Sequence, residues 1–537
     1  MTAAQAPQVT ESLDGMLCAA ARAHPDRAAL VLPRPLAGTT VTTYAELDHR
    51  VDAVAAGLHA AGLQPGDRAA LLVPPTADFF VVAFALLRLG AVPVLVDPGI
   101  GRTHLRTCLG ESEPVAFLGV AKAQLARRVL RWCPAARIVV TVGPGPRTGL
   151  RLSAVEQAGA ALLPWRAPPR SAHGTAAIVF TSGSTGVPKG VEQTQETLLA
   201  QTRLVADLYD LGPHQVSLAT FPPFALFGPP LGMTTVVPRM DATKPASVRP
   251  RRVVRVANRH RATVLFGSPA LLDTVTRGAP DARMPTVRLV ISAGAPVPRA
   301  VQRKVLHMVG DGAQVHTPYG ATEALPVASI GSDELLGLPE GICVGRPVTG
   351  VDVALIRVDD GPLTALTDDL LVAPGEVGEV VVRGPNVTTS YAGRPAAMAL
   401  AKLDWGGRTA HRMGDLASLD TEGRLWFAGR KSHRVETRRG PLYSVPCEEV
   451  FNVHPSARRT ALVGLGPLGE QEAVLCVELE PGVEGTPGLT AELLALGSQD
   501  LRTSQIARVL YHPGFPVDIR HNSKIDRPAL AVWAARR

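Results

Sequence analysis

Short apolar runs recur through the first three hundred residues, each bounded by turn signals and separated from the next by longer stretches that include helix-length patterns. Residues 68–74 (RAALLVP), 92–96, 137–142, 176–180, 263–266 and 287–292 are runs of this kind. Residues 77–89, between the first two, read as a helix ended by Gly90, the residue that most readily takes the left-handed backbone of a helix stop. Parallel strands need a crossover between them, most often a helix, so this order specifies α/β folding with helices on both faces of parallel sheets. No repeat of fixed period occurs, which excludes solenoids and propellers. Residues 375–383 (GEVGEVVVR) break the alternation and read as β-hairpin material of a small β-rich subdomain.

The chain has 537 residues, room for three or four folding units at about 150 residues each. Hydrophobic residues make up 46%, enough for a large core, which excludes disorder as the main state. The most apolar stretch, 79–96, is interrupted by Arg88, Gly90 and Pro93, so it reads as a core helix followed by a buried strand rather than a membrane span. Lys+Arg 55 against Asp+Glu 47 gives +8, which suits an anionic ligand or surface, including peripheral membrane association, without requiring nucleic acid. Six cysteines form no CxxC pair, so neither a disulfide scaffold nor a structural zinc site is expected. Residues 1–14 lack a basic segment followed by an apolar core, so no signal peptide is read and a cytoplasmic protein is expected. Residues 437–446 (TRRGPLYSVP), following Gly429-Arg430-Lys431-Ser432, look like a junction, after which an α/β pattern resumes for about 90 residues, the size of a small domain. The expected domains are therefore 1–431 and 432–537, with a Pro/Gly-rich loop at 481–490 inside the second.

Residues 176–190 (AAIVFTSGSTGVPKG) carry the chemistry. A buried strand runs into a loop, and a helical pattern follows at about 194–208. Gly183 and Gly186 let the backbone approach a ligand closely, and consecutive amides form an anion nest. Thr181, Ser182, Ser184 and Thr185 add hydroxyl donors and Lys189 a positive charge, a set suited to a polyphosphate. It is not a Walker A loop, whose order is GxxxxGK[ST]. The segment 143–149 (GPGPRTG) has the wrong spacing for a dinucleotide loop, and its prolines remove N–H donors. No Gly-x-Ser-x-Gly elbow occurs, which excludes an α/β-hydrolase.

The segment TSGSTGVPKG resembles the phosphate loop of the adenylate-forming superfamily, which includes acyl-CoA synthetases, peptide-synthetase adenylation domains and luciferases. Further landmarks follow in order. Ser292-Ala293-Gly294-Ala295-Pro296 resembles the adenine-side loop, and Tyr319-Gly320-Ala321-Thr322-Glu323 the YGxTE motif. Residues 378–391 resemble the GExxVRGPxVxxGY element, Met413-Gly414-Asp415-Leu416 the TGDL motif, and Gly429-Arg430 the hinge-side pair. Lys524 in HNSKIDR is similar to the mobile C-terminal lysine. The resemblance implies a large N-terminal domain with two packed α/β sheets and a small β subdomain, and a mobile, smaller α+β C-terminal domain. It implies a reaction in which a carboxylate attacks the α-phosphate of ATP, releasing pyrophosphate and leaving an acyl-adenylate. By the same resemblance Glu323 would help hold Mg²⁺, Asp415 would accept the ribose hydroxyls, and Arg430 would contact the nucleotide sugar. Lys524 would bridge carboxylate and α-phosphate, and Thr181 joins Glu323 and Lys524 in the catalytic set. Taken singly, Asp415 could be a turn residue, Glu323 a helix cap and Lys524 a surface lysine; their joint order argues otherwise.

Two segments depart from the acyl-CoA synthetase pattern. In Pro223-Phe224-Ala225-Leu226-Phe227-Gly228, Ala225 stands where PxFHxxG has histidine, and residues 434–449 (RVETRRGPLYSVPCEE) rebuild the loop that helps line the pantetheine tunnel. The substrate-pocket set is Phe221, Phe224, Ala225, Phe227 and Gly228, and residues 221–233 carry no charge, which suits a long apolar acyl group. The segments FPPFALFGPPLG, VDPGIG, HPSARRTALVG and DIRHNSKIDRPALAVWA resemble the β-lactone synthetases of bacterial long-chain olefin pathways (OleC type). That resemblance implies adenylation of a 2-alkyl-3-hydroxy acid and closure to a β-lactone. It also implies neighbours in the pathway, a β-lactone decarboxylase and a β-ketoacid reductase. A long-chain fatty acyl-CoA synthetase remains the alternative. His433 is a candidate base for the hydroxyl proton, though a solvated or hydrogen-bonded loop histidine is the plainer reading for it and for His454; Cys447 reads as a small buried residue.

Overall fold

The computed structural model describes residues 11–33, 38–146, 148–181, 188–517 and 525–537. The chain divides into two compact units. One comprises Met1–His316, Gly320–Pro326 and Arg383–Ala399; the other comprises Thr317–Tyr319, Val327–Val382 and Leu400–Arg537.

The first unit holds two sheets, the number the family resemblance implies, and their parallel strands are what the alternation of runs predicts. One is seven-stranded, in the order Gln314–His316, Leu289–Ile291, Val264–Phe266, Val216–Ala219, Thr234–Val236, Ala28–Pro33 and Thr39–Thr43, parallel except for the last pair. The other is eight-stranded and begins Ser390–Tyr391, Lys189–Thr194, Thr175–Thr181, Val92–Leu95, Arg68–Leu72; its first two pairings are antiparallel. Helices Tyr44–Ala60 and Ala77–Leu89 share one core with both sheets: Leu30 and Ala219 come from the first, Leu118 and Val140 from the second, and Val51, Phe80 and Phe84 from the helices. Every residue from Phe79 to Leu89 is buried, and Gly90, at φ +83, stops the helix. The one charge among them, Arg88, is compensated by Asp48 and Asp52, each at 2.7 Å, and by Asp14 at 3.8 Å. Without such partners a buried guanidinium would be strongly destabilising.

In the second unit, strands Cys343–Pro347, Leu425–Arg430, Thr409–Leu419 and Gly378–Arg383 are successive antiparallel neighbours. The expected hairpin at 375–383 is instead one strand, Gly378–Arg383, which lies between Asp352–Ile356 and Thr409–Leu419 in the sheet. Val380, Val381 and Val382 are all buried, so both faces of this strand are covered, and an interior strand needs neighbours of that kind rather than a solvated hairpin mate. After Arg430 come the turn Lys431–His433, a hairpin of Val435–Thr437 and Gly440–Leu442, and helix Ser444–Asn452. A three-stranded sheet follows, Ala457–Leu465, Glu472–Leu479 and Arg508–Tyr511, with helices Pro487–Ser498 and Arg527–Ala534. The expected loop at 481–490 is shorter than read. A helix starts at Pro487, where proline at the first helical position loses no hydrogen bond, and Thr486 caps it by accepting from Leu489 N at 3.1 Å. Among the described residues no helix is long and apolar enough to cross a membrane.

Candidate nucleotide and acyl site

Four adjacent parallel strands of the seven-stranded sheet, Val216–Ala219, Val264–Phe266, Leu289–Ile291 and Gln314–His316, end on the same side. In open α/β sheets, ligands bind beyond the carboxyl ends of such strands. Residues 292–296 leave the third strand there. Ser292 is fully buried and its N–H donates to the His316 carbonyl at 2.9 Å. Gly294 sits at φ +96, a left-handed turn that brings Gly294, Ala295 and Pro296 outward.

Phe221 and Phe224 follow the first strand, and Phe266 closes the second. The Phe224 ring stacks on Phe266, with centroids 4.0 Å apart and planes at 16°. Phe227 meets Phe224 edge-on at 5.6 Å, and Phe221 lies 6.2 Å from Phe266. Met233 and Ile291 are buried in the same cluster. Phe266 escaped the sequence reading; its signal is the Gly267-Ser268-Pro269 break directly after a strand. Ala225 is placed apart from these rings, 1% exposed in the main core between the sheets. A histidine there would carry a polar ring into apolar surroundings, at a cost unless it found a partner. Gly228 is fixed by close approach, since a Cβ on it would meet Thr235 Oγ1 at 2.1 Å.

At the neighbouring sheet, Thr181 and Lys189 face each other across the antiparallel strands Thr175–Thr181 and Lys189–Thr194. The Thr181 side chain and Ser182, Gly183, Ser184, Thr185 and Gly186 lie outside the described residues. The strand of Lys189 pairs on its other side with Ser390–Tyr391. The Lys189 ammonium lies 5.2 Å from the centroid of the Tyr391 ring, a cation–π distance. The Tyr391 hydroxyl donates to Glu323 Oε1 at 2.8 Å. Burial, and then the Glu323 charge, push the Tyr391 phenol far above its usual range, so it stays a donor. Thr322 and Glu323 form the turn between strands Tyr319–Ala321 and Ala324–Ser329, not the helix cap that a single-residue reading allows. That turn is clamped. The Thr322 carbonyl accepts from Gln193 Nε2 at 2.8 Å, and the Glu323 carbonyl accepts from Thr388 N at 2.8 Å and Thr388 Oγ1 at 3.2 Å. Gly320, just before the turn, has no room for a Cβ, which would lie 2.7 Å from the Ala324 carbonyl. Tyr391 thus touches both the loop lysine and the motif glutamate, a role the sequence reading did not give it. Among the described residues no three His, Cys, Asp or Glu cluster to hold a metal. A hard ion held by one carboxylate together with ligand phosphates is the arrangement Glu323 fits.

In the second unit, Asp415 lies mid-strand rather than in a turn, in register with Arg430. Its Oδ1 is 3.1 Å from Arg430 Nε, and its Oδ2 accepts from the Tyr319 hydroxyl at 2.8 Å. Arg430 also donates to the Met413 carbonyl at 3.3 Å. Asp415 is 4% exposed. Burial, then the Asp415 charge, drive the Tyr319 phenol well above its usual range, so the hydroxyl remains the donor in this pair.

Lys524 lies outside the described residues. On either side of it, Val517 and Ile525 form an antiparallel bridge, and Arg527 makes two contacts, 2.6 and 2.7 Å, with the Glu448 carboxylate. The His433 imidazole is pushed down to about 3 by burial and then by Arg527 and Arg430. It is neutral at working pH and a weak base, and its Nε2 has no partner among the described residues. Nδ1 of His454 accepts from Ser456 N at 3.2 Å, the hydrogen-bonded loop role read for it. Burial raises the Cys447 thiol to about 12, and its Sγ lies 3.2 Å from the Arg502 carbonyl, so it is a packed residue and not a nucleophile.

Comparison with known proteins gives the family and the fold. Residues 17–392 match the family described as AMP-binding enzyme. The chain is 48% identical to the olefin beta-lactone synthetase of Xanthomonas campestris pv. campestris, over 96% of each chain. It is 46% identical to the olefin beta-lactone synthetase of Stenotrophomonas maltophilia, again over 96% of each. The fold is shared with the amide bond synthetase McbA of Marinactinospora thermotolerans, at TM-score 0.78 and 24% identity over 97% of this chain and 99% of that one. It is shared too with a fatty acyl CoA synthetase of Mycobacterium tuberculosis, at TM-score 0.74 and 22% identity over 98% of both. A family match over most of its length, full-length relatives at nearly half identity and a common fold make this chain a member of the AMP-binding enzyme family.

Proposed function

We propose that the enzyme adenylates a long-chain 2-alkyl-3-hydroxy acid with ATP and closes the adenylate to a β-lactone, releasing AMP and pyrophosphate. The observation that carries this reading is the end-to-end similarity, at 46–48% identity, to two olefin beta-lactone synthetases. In this reading the loop from Thr181 to Gly190 takes the polyphosphate, with Lys189 as its fixed charge. Asp415, oriented by Tyr319 and Arg430, takes the ribose hydroxyls. The rings of Phe221, Phe224, Phe227 and Phe266 border the alkyl chains, where each buried methylene contributes about 0.8 kcal/mol. Glu323 would hold Mg²⁺, which when bound neutralises charge on the phosphates. The domain boundary is proposed at 431/432, within the turn Lys431–His433. The proposal includes a cytoplasmic location and pathway neighbours that reduce a β-ketoacid upstream and decarboxylate the lactone downstream.

An acyl-adenylate is a mixed anhydride with a good leaving group. When the substrate's own β-hydroxyl attacks it, proximity replaces the encounter with an external thiol, an advantage of up to about 7–11 kcal/mol in well-oriented cases. That advantage, together with anhydride cleavage, offsets ring strain, provided water is excluded. Incubation of a 2-alkyl-3-hydroxy acid with ATP and no CoA is expected to give β-lactone, AMP and pyrophosphate, identified by mass spectrometry and infrared or NMR spectra. A thioester formed only with CoA would instead establish the long-chain acyl-CoA synthetase reading.

Tyr391→Phe tests the Lys189–Tyr391–Glu323 arrangement. Losing one hydrogen bond to a carboxylate, about 1.5–3 kcal/mol, is expected to lower acid-dependent ATP–pyrophosphate exchange by roughly 10- to 100-fold. The Mg²⁺ concentration for half-maximal rate should rise. An unchanged Mg²⁺ dependence would show that the phenol does not position the glutamate for the metal.

A further inference from the structure

The seven-stranded sheet carries a charge distribution that the nucleotide chemistry does not use. Residues 249–308 hold twelve Lys and Arg and two Asp, a net +10; the whole chain is +8, so the other 477 residues sum to −2. A general bias toward arginine would spread the excess, and here the rest of the chain balances its own.

Helix Pro250–Arg259 shows how folding sorts these charges. Val253, Val254, Val256 and Ala257 are buried in a core with Leu265, Val290 and Val315 of the sheet. Arg251, Arg255 and Arg259 recur every fourth residue and are exposed, and Arg249 and Arg261 are exposed at either end. Helix Arg299–Met308 buries Val301, Val305 and Met308 in the same core and exposes Arg303 and Lys304. Both helices therefore cover one face of the sheet and turn their cations outward from it. Arg251, Arg255, Arg303 and Lys304 have no ion pair among the described residues. Like charges at i and i+4 repel, and an anionic surface bound along such a stripe relieves that repulsion.

The shape of this face selects among anions. No large hydrophobic residue of 249–308 is exposed, and its one aromatic residue, Phe266, is buried in the acyl-side cluster. Single-stranded nucleic acid needs aromatic platforms for its bases. A broad helical face with cations and nothing to insert suits a surface of anionic headgroups bound by charge alone. Resting on the proposed function, its substrate is a two-chain amphiphile that partitions into bilayers. We propose that helices Pro250–Arg259 and Arg299–Met308 form a docking surface for an anionic lipid bilayer, held electrostatically and reversibly.

The test is co-sedimentation of the full chain with vesicles of phosphatidylcholine alone or with one third phosphatidylglycerol. Binding is expected only to the anionic vesicles and is expected to disappear at high salt. Arg251→Glu/Arg255→Glu/Arg303→Glu should weaken it by more than about tenfold, and the milder Arg251→Gln/Arg255→Gln by a few-fold. Lys122→Glu/Arg128→Glu, on helix Ala121–Leu130, should leave it nearly unchanged. Absence of binding, equal binding to neutral vesicles, wild-type binding by the triple variant, or retention on duplex DNA without retention on anionic vesicles would each overturn the assignment. ATP–pyrophosphate exchange with a soluble acid should be unaffected in all these variants. Vesicle binding is read without catalysis, so a failed lactone assay leaves this result standing, and the reverse holds.

Discussion

Asp415→Ala is expected to lower acid-dependent ATP–pyrophosphate exchange by about 10²–10⁴-fold, with much of the loss in KM for ATP. Its carboxylate is 4% exposed, accepts from Tyr319 at 2.8 Å and lies 3.1 Å from Arg430 Nε. In the proposed role it also accepts two ribose hydroxyls. Hydrogen bonds to a charged group contribute about 1.5–3 kcal/mol each, so two of them give roughly 3–6 kcal/mol, which is the fold-change stated. The same substitution strands the Tyr319 hydroxyl, a cost of about 1–3 kcal/mol, and the melting temperature should fall. Asp415→Asn keeps the volume and one acceptor. It should recover most of the stability and little of the activity, which separates the ribose role from a merely structural one. Wild-type exchange in Asp415→Ala would make the residue purely structural.

Lys524→Ala is expected to lower the rate of adenylation by about 10²–10³-fold, the usual cost of removing one preorganised charge from a developing oxyanion. KM for ATP should change little, because the ammonium is needed as charge builds on the α-phosphate and less in the ground state. Lys524→Arg should rescue little, since a planar fork does not replace a compact point charge. Lactone release from chemically supplied acyl-adenylate should be far less affected, because the phosphate step is then already past. Pyrophosphate release and lactone formation, measured side by side, check both statements. A Lys524→Ala variant that adenylates at the wild-type rate would remove this lysine from the proposed mechanism.

The local pattern of residues determined a large part of this protein. Helix Ala77–Leu89 and its stop at Gly90 follow from an unbroken apolar run and one left-handed glycine. The strand ending at Thr181 and the helix Gln195–Tyr209 follow from composition at fixed spacing, but the strand Lys189–Thr194 between them and the turn at Thr322–Glu323, read singly as a helix cap, do not. The elements that follow are properties of adjacent residues, and adjacency is what a sequence records. Pairing is not adjacent. Strand Val92–Leu95 lies beside Thr175–Thr181, about 80 residues away, and the valines of Gly378–Arg383 announce a buried strand without saying which strand covers it. The same holds for the site. Tyr391 is 68 residues from Glu323, and Tyr319 is 96 from Asp415. Only the tertiary arrangement of strands, within one sheet for Tyr319 and Asp415 and between sheets for Tyr391 and Glu323, brings each donor to its carboxylate. Ala225 departs from a family motif in the sequence, yet the turn of a short helix directs it into the main core and Phe224 onto Phe266. A whole-chain charge of +8 conceals a segment of +10. Burial of its valines in one core decides that the arginines stand together on one face, because the fold sorts side chains by which of them can leave water.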